Sequence, residues 1–317
     1  GYPSVIEFEV EGLARRGIVV VTANYRINVF RFMAHPQLSC QQPDAPANFG
    51  SLDQQAALKW TIRNIQAFGG DAGNITIAGQ SAGGGSVLSQ MACPANAGLF
   101  QRAVVMSGMI RSPYGEGSIG TPRPLWEAEE GGVDFPDFLG VSTLEQAREQ
   151  DAVFIRDKYA EYVKNAPRMG TAVDGRFCVG DPLALFLEGK CADVPVMAGN
   201  TVDEFPSFLS AGSRQELAVK ARNIFGERAE AFLELAEPEG GGAAGPAEAE
   251  KEMGQGIGTA CGEPVRCGTV SGLECTIKGV FEARSGGADC YYYQFAPWIP
   301  GPDAPGCFHS VDLWFFF

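Results

Sequence analysis

Short apolar runs alternate with helical stretches along this chain. Residues 53–66 carry apolar side chains at roughly helical spacing, and Val87, Leu88 and Met91 share one face of a second predicted helix that begins at Gly83. Runs rich in branched or aromatic side chains predict buried strands at residues 18–23, 74–78, 103–106, 194–199 and 290–295. The alternation predicts an α/β fold with a doubly wound, mostly parallel sheet and right-handed crossovers.

The regular pattern is interrupted twice, at about residues 109–190 and 206–288. The first interruption combines Pro- and Gly-rich loops with a charged helix predicted near residues 144–165. The second includes an acidic, Gly-rich loop at residues 237–246, with a helix expected on either side. We predict one domain over residues 1–317, in which both insertions form the mouth of a pocket above the carboxyl ends of the strands.

The composition and net charge argue against several classes of binding partner. The 317 residues are 45% hydrophobic, which is enough for a sizeable core, and no apolar run approaches the ~18 residues of a transmembrane helix. The formal net charge of −14 disfavours nucleic acid and anionic membrane surfaces as partners. The nine cysteines include no Cys-x-x-Cys pair, and with only two histidines a metal site is not expected. We predict free, mostly buried thiols and a cytoplasmic protein.

A Gly-x-Ser-x-Gly pentapeptide at residues 79–83 follows one predicted strand and opens the next helix. This motif predicts a nucleophile elbow, a sharp strand-to-helix turn that exposes the hydroxyl of Ser81. We expect glycine to be needed on both sides of the serine, because the strained nucleophile packs closely against its neighbours. The pentapeptide by itself is weak evidence for chemistry.

The longer stretch around the elbow, residues 48–84, resembles the type-B carboxylesterases. This family of α/β-hydrolases includes the bacterial para-nitrobenzyl esterases and the cholinesterases. The resemblance covers most of the chain and is dense in motifs at residues 18–108, 171–204 and 306–313. It implies an α/β-hydrolase fold and hydrolysis of a small-molecule carboxylic ester through an acyl-enzyme intermediate on Ser81. It implies no metal and no organic cofactor.

The resemblance also implies a catalytic triad in the chain order Ser, acid, His. His309 is the only histidine after Ser81 and lies in a Gly-x-x-His segment like that of the family, so we expect it to be the general base. His35 precedes Ser81 and matches a family loop in which the histidine is structural. Cys307 lies close to His309 and suggests a Cys-His pair as an alternative, but it has no elbow.

The acid of the triad is expected in the loop after the strand predicted at residues 194–199. The glutamate of the family's Asp-Glu-Gly tripeptide maps onto Glu204, and Phe205 stands in place of the glycine. Asp203 is the alternative acid if this replacement alters the path of the loop. Its other expected role is turn formation.

Ester hydrolysis also requires hydrogen-bond donors for the developing oxyanion. The amide of Ala82, directly after the nucleophile, is one expected donor. The family takes two more from a His-Gly-Gly-Gly loop, which would lie before Gly1. The glycines at residues 83–85 are not a substitute, since we expect them to let the helix pack close to the sheet. We therefore expect an interior fragment of a longer esterase, without the family's N-terminal strands and C-terminal helix.

Two residues near the predicted triad differ from the family pattern, and we interpret the two differences together. Gln80 stands where the family usually has a glutamate, and Met109 stands where it has the last serine of a Gln-Ser-Gly-Ser segment. In the family these two positions share a buried polar network. Loss of a carboxylate together with its hydroxyl partner avoids an unpaired buried charge. We predict more neutral surroundings for His309, with the triad retained.

A non-catalytic class of proteins uses the same fold, and the neuroligins are its example. These binding proteins typically lack the serine, whereas Ser81, Glu204 and His309 are all present here, which favours an enzyme. An interfacial lipase would need an amphipathic lid, and no segment shows one clearly. The expected substrate is an uncharged or cationic ester with an apolar acyl or aryl part, because the insertions supply Phe, Leu and Met to the pocket mouth.

Overall fold

The computed structural model describes residues 10–108, 121–202, 204, 214–230, 233, 272–297 and 307–316. Met109, Asp203, Phe205 and the predicted loop at 237–246 lie outside these residues. The division into one domain with two insertions stays a prediction. Within the described ranges, no helix is long and apolar enough to cross a membrane.

Helices occupy most of the regular structure. They are α1 (Glu11–Ala14), α2 (Asn28–Phe32), α3 (Pro36–Gln41), α4 (Phe49–Asn64), α5 (Ala82–Ala92), α6 (Leu125–Phe138), α7 (Leu144–Arg148), α8 (Ala152–Tyr162), α9 (Pro182–Leu187), α10 (Arg214–Phe225), α11 (Gly272–Ala283) and α12 (Leu313–Phe316). Short 3₁₀ helices lie at Ile65–Phe68, Pro94–Asn96 and Gly226–Arg228.

The single charged helix predicted near residues 144–165 is two helices, α7 and α8. The Thr143 side chain accepts a hydrogen bond from the Gln146 amide and caps α7. The Asp151 side chain accepts hydrogen bonds from two amides in the first turn of α8. Each cap satisfies amides that have no partner within their helix, so the chain starts a new helix at α8.

Six strands are described: β1 (Thr76–Gln80), β2 (Arg102–Met106), β3 (Arg123–Pro124), β4 (Ala172–Val173), β5 (Val196–Thr201) and β6 (Cys290–Phe295). Four of them form a parallel sheet in the order β1-β2-β5-β6. The pair β3–β4 forms a separate two-stranded parallel sheet. Four of the five strands predicted from the sequence are confirmed, and so is the α/β class with a mostly parallel sheet.

The strand predicted at residues 18–23 is wrong. This segment belongs to neither sheet, and the described residues give β1 only one neighbour, β2. The side chains of Ile18, Val19 and Val21 are exposed. Branched residues favour strands because they pack on a pleated, half-buried surface, so the same residues without a hydrogen-bonded neighbour do not form one.

The largest core cluster joins the four-stranded sheet to the helices beside it. It includes Met91 from α5, Val105 from β2, Phe186 from α9, Ala198 from β5 and Val280 from α11. Because the four strands are parallel, their carboxyl ends meet at one edge of the sheet. The segments after β1, β2 and β5 carry Ser81, Ser107 and Glu204, so the core positions these three residues at the same edge.

The cysteines whose side chains are described are free thiols, as predicted. Three are buried, two are half-buried and one is exposed: Cys93, Cys178, Cys307, Cys191, Cys290 and Cys40, in that order.

Candidate active site

Ser81 occupies a strained turn between β1 and α5. Its backbone has φ 55° and ψ −121°, a conformation that non-glycine residues rarely adopt. Its amide donates a hydrogen bond of 2.8 Å to the carbonyl oxygen of Met106, which ties the turn to the end of β2. This is the geometry predicted for a nucleophile elbow.

The structure confirms that glycine is required before Ser81, at Gly79. The prediction that glycine is also required at Gly83, after Ser81, is wrong. A Cβ atom at Gly79 would overlap the backbone of Gly83, and a Cβ at Gly84 would lie 2.6 Å from the Cα of Gly108. A Cβ at Gly83 meets nothing within 4 Å. The close approach of α5 to the sheet therefore depends on Gly84, one residue beyond the pentapeptide, and not on Gly83.

Glu204 and His309 are in direct contact. Nδ1 of His309 lies 2.5 Å from Oε2 of Glu204, and both side chains are largely buried, with 14% and 3% of their surfaces exposed. The other carboxylate oxygen of Glu204 accepts hydrogen bonds from the Ser107 hydroxyl at 2.5 Å and from the Thr201 amide at 3.0 Å. The structure thus brings together two of the three predicted triad residues, 105 positions apart.

The environment of Glu204 favours its charged form. Burial raises the pKa of this carboxyl, but hydrogen bonds from His309 and Ser107, the charge interaction with His309 and the Thr201 amide together hold its pKa below the ordinary value. Ser107 has φ 47° and follows β2 directly, so the end of that strand places its hydroxyl on the acid. Sequence analysis did not single out Ser107, although its position directly after a predicted strand was a signal.

Gln80 lies against the other nitrogen of the imidazole. Its side-chain nitrogen is 3.2 Å from Nε2 of His309 and donates to the Ser310 hydroxyl at 2.7 Å. In a neutral imidazole, the Glu204 carboxylate favours the tautomer with its proton on Nδ1 and Nε2 as the acceptor, which is the tautomer of a general base. Ser81 stands one residue after Gln80 at the same edge, but the contacts of the described residues do not join its hydroxyl to His309.

A second carboxyl group lies beside this pair, and the expectation of surroundings more neutral than in the family stays a prediction. Gln80 is indeed an uncharged neighbour of His309, yet Asp312 is 0% exposed and close enough to interact electrostatically with both Glu204 and His309. Burial, followed by the charge of Glu204, raises the pKa of Asp312, although Tyr293 and His309 oppose the shift. The available signal was an acidic residue in an otherwise apolar segment.

The structure also describes three further residues for which the sequence predicts a role: Ala82, His35 and Cys307. Ala82 is the first residue of α5, and amides in a first helical turn have no partner within the helix, so its N–H can face an oxyanion. His35 is structural, as predicted: its Nδ1 accepts from the Gln37 amide and caps α3. The Cys307 thiol is buried and donates to the Pro297 carbonyl oxygen at 2.9 Å, which does not fit a nucleophile.

An elbow serine and a Glu–His pair at the carboxyl edge of a parallel sheet are the features of a serine-dependent α/β-hydrolase site. The profile of the Carboxylesterase family matches residues 3–245. The chain belongs to this family.

The chain is similar to esterases from different sources. It is 33% identical over 225 residues to a cholinesterase of Mus musculus, covering 67% of this chain and 36% of that protein. It is 34% identical over 205 residues to a para-nitrobenzyl esterase of Bacillus subtilis (strain 168), covering 63% of this chain and 40% of that protein. A solved structure of a PNB esterase matches with a TM-score of 0.72 at 27% identity, covering 99% of this chain and 60% of the other. The chain therefore spans well under half the length of these two curated relatives.

Proposed function

We propose that the protein is a serine carboxylic-ester hydrolase with a Ser81–Glu204–His309 triad. The observation that carries this proposal is the contact of Glu204 with His309 at the sheet edge where Ser81 occupies its strained turn. A carboxylate on Nδ1 leaves Nε2 free to accept a proton, which is the property a serine nucleophile needs from its partner.

In the proposed reaction, His309 takes the proton of Ser81 as the hydroxyl oxygen attacks the ester carbonyl carbon. The Glu204 carboxylate stabilises the imidazolium that results, and the Ala82 amide donates to the oxyanion. His309 then gives the proton to the departing alkoxide, which leaves an acyl group on Ser81. Water, activated by the same imidazole, releases the acid and restores the serine.

The proposed substrate is a small uncharged or cationic ester with an apolar acyl or aryl part. The net charge of −14 opposes the approach of anionic esters. Exposed aromatic side chains of Phe308 and Trp314 lie on the segment that carries His309 and pack against each other, with ring centroids 6.1 Å apart. They offer an apolar surface close to the base.

Labelling with a fluorophosphonate tests the proposal, because only an activated serine reacts stoichiometrically. We expect one label per chain on Ser81, found by peptide mass spectrometry, and no label in the Ser81→Ala variant. Ser89, on the following turns of α5, is the matched control, and Ser89→Ala should be labelled like the wild type. A folded protein that takes no label would instead fit a binding protein on the same fold.

A further inference from the structure

Asp312 is placed unusually for a carboxyl group. Its side chain is fully buried, and Oδ2 accepts a hydrogen bond of 2.9 Å from the Tyr293 hydroxyl. Oδ1 is buried without a hydrogen-bond partner among the described residues. An unpartnered buried carboxylate oxygen is costly, so a purely structural role would be better served by an apolar side chain.

The segment that carries His309 is a tight turn shaped by hydrogen bonds within itself. The amides of Val311 and Leu313 donate to the carbonyl oxygens of Phe308 and Ser310, and Ser310 has φ 78°. These hydrogen bonds are local and shape the turn. Its position relative to β6 depends on longer contacts, which include the Cys307 thiol on the Pro297 carbonyl oxygen and the rings of Phe315 and Phe316 on those of Phe295 and Tyr293. The hydrogen bond between Asp312 and Tyr293 spans 19 positions and joins the turn to β6.

Tyr293 is itself held against the strand that leads to the acid. It pairs with Gly199 of β5, and a Cβ atom at Gly199 would overlap the Tyr293 ring and carbonyl. The next residues of β5 lead to Thr201, whose amide binds Glu204. The acid and the anchor of the base therefore rest on the same two paired strands.

We propose that Asp312 is a positioning residue that holds the His309 turn on β6 through Tyr293, and that it acts by hydrogen bonding and not by charge. This inference rests on the proposed esterase function. Besides this hydrogen bond, the turn is held near the site by the Glu204–His309 contact, by Gln80, which reaches Ser310 and His309, and by the ring contacts of α12 with β6.

The groups facing Asp312 support a role that does not need its charge. Glu204 after β5 repels a second negative charge, whereas Tyr293 on β6 and His309 on the turn favour it. Glu204 has three donors, while Asp312 has the Tyr293 hydroxyl. These contacts hold the pKa of Glu204 below its ordinary value, whereas burial and the charge of Glu204 raise the pKa of Asp312. Burial raises the pKa of Tyr293, so its hydroxyl remains a donor to the charged or the neutral acid.

The test compares kcat and KM for p-nitrophenyl butyrate in the protein expressed from its complete reading frame. A displacement of the base by about 1 Å costs on the order of 10²-fold in rate, so Asp312→Leu should lower kcat by about that factor with KM within about twofold. Asp312→Asn can still accept from Tyr293 and should keep kcat within about fivefold, with an unchanged pH profile. Tyr293→Phe should lower kcat about tenfold.

Coupling between the two residues provides the decisive comparison. The double variant Asp312→Leu/Tyr293→Phe should be no worse than Asp312→Leu, because both changes remove one contact. Tyr291→Phe, which changes an exposed tyrosine two residues earlier on the same strand, is the matched control and should behave as the wild type. If Asp312→Leu does not fold, Tyr293→Phe tests the same hydrogen bond by removing one oxygen atom.

Additive losses, an Asp312→Asn variant as slow as Asp312→Leu, or full kcat in Tyr293→Phe would each overturn the positioning role. These outcomes differ from failure of the proposed esterase function. If that function failed, a fluorophosphonate would not label Ser81 in the wild-type protein, and the positioning role of Asp312 would be contradicted as well.

Discussion

The side-chain nitrogen of Gln80, the residue directly before Ser81, lies 3.2 Å from Nε2 of His309. The same nitrogen donates to Ser310, so one neutral amide bridges the strand that ends beside Ser81 and the turn that carries His309. A carboxylate at this position would present only acceptors to the unprotonated Nε2. An amide can donate to it, which suits the tautomer that Glu204 imposes.

Substitution of Gln80 tests whether its hydrogen bonds to His309 and Ser310 contribute to kcat/KM. Gln80→Met keeps the length of the side chain but removes both donors, and we expect kcat/KM for a p-nitrophenyl ester to fall about fivefold, the equivalent of one hydrogen bond of ~1 kcal/mol. Ser310→Ala removes the second partner and leaves the contact with His309, so it should cost less. A rise in kcat/KM for Gln80→Met would show that the amide competes with Ser81 for Nε2.

Ser81→Ala should abolish turnover of a p-nitrophenyl ester while leaving the circular dichroism spectrum unchanged. The expected loss in kcat is on the order of 10⁴-fold or more, because the triad cannot act without its nucleophile. Steady-state kinetics on the purified variant provide the measurement. Retention of more than about a tenth of the activity would contradict the role proposed for Ser81.

Glu204→Gln should cost far more activity than Asp203→Asn. Loss of the corresponding carboxylate in a Ser-His-Asp triad lowers kcat by about 10⁴-fold, because the imidazole takes the wrong tautomer. The contact between Glu204 and His309 supports Glu204 as the acid. Measurement of kcat for both variants checks this order. A larger loss of kcat in Asp203→Asn than in Glu204→Gln would indicate that Asp203 is the acid.

The depressed pKa of Glu204 predicts a loss of stability in acid. The unfolded state binds the proton more tightly, so this contribution is present above the ordinary pKa of 4.5 and is lost as the pH falls through the lower folded-state pKa. Denaturant unfolding of wild type and Glu204→Gln should therefore differ less at acidic than at neutral pH. A difference between the two proteins that does not change with pH would count against the shift.

Gly84→Ala and Gly83→Ala form a matched pair for the packing of α5. The Cβ at position 84 would lie 2.6 Å from the Cα of Gly108, backbone against backbone, so we expect a loss of about 1–3 kcal/mol or more in the free energy of unfolding. The Cβ at position 83 has open space, and alanine should be neutral or stabilising by up to ~1 kcal/mol in a helix. Thermal unfolding of both variants checks this order.

The sequence by itself determined the parallel sheet, the elbow at Ser81, and Glu204 and His309 as candidates for the acid and the base. The sheet and the elbow depend on local signals, namely apolar runs that predict buried strands and a glycine-flanked serine at a strand end. Glu204 and His309 follow from short motifs that resemble those of the type-B carboxylesterases. The sequence was wrong at residues 18–23, because branched residues form a strand only where a neighbour accepts their backbone hydrogen bonds.

Only the tertiary structure decided which groups surround the triad pair. Ser107 contacts Glu204 across 97 positions, and Tyr293 contacts Asp312 between a strand and a turn. No local pattern encodes such pairs, because they arise when the order of parallel strands brings separate carboxyl ends to one edge. Whether the surroundings of His309 are neutral likewise depends on burial and distance, which depend on the packing of the whole sheet.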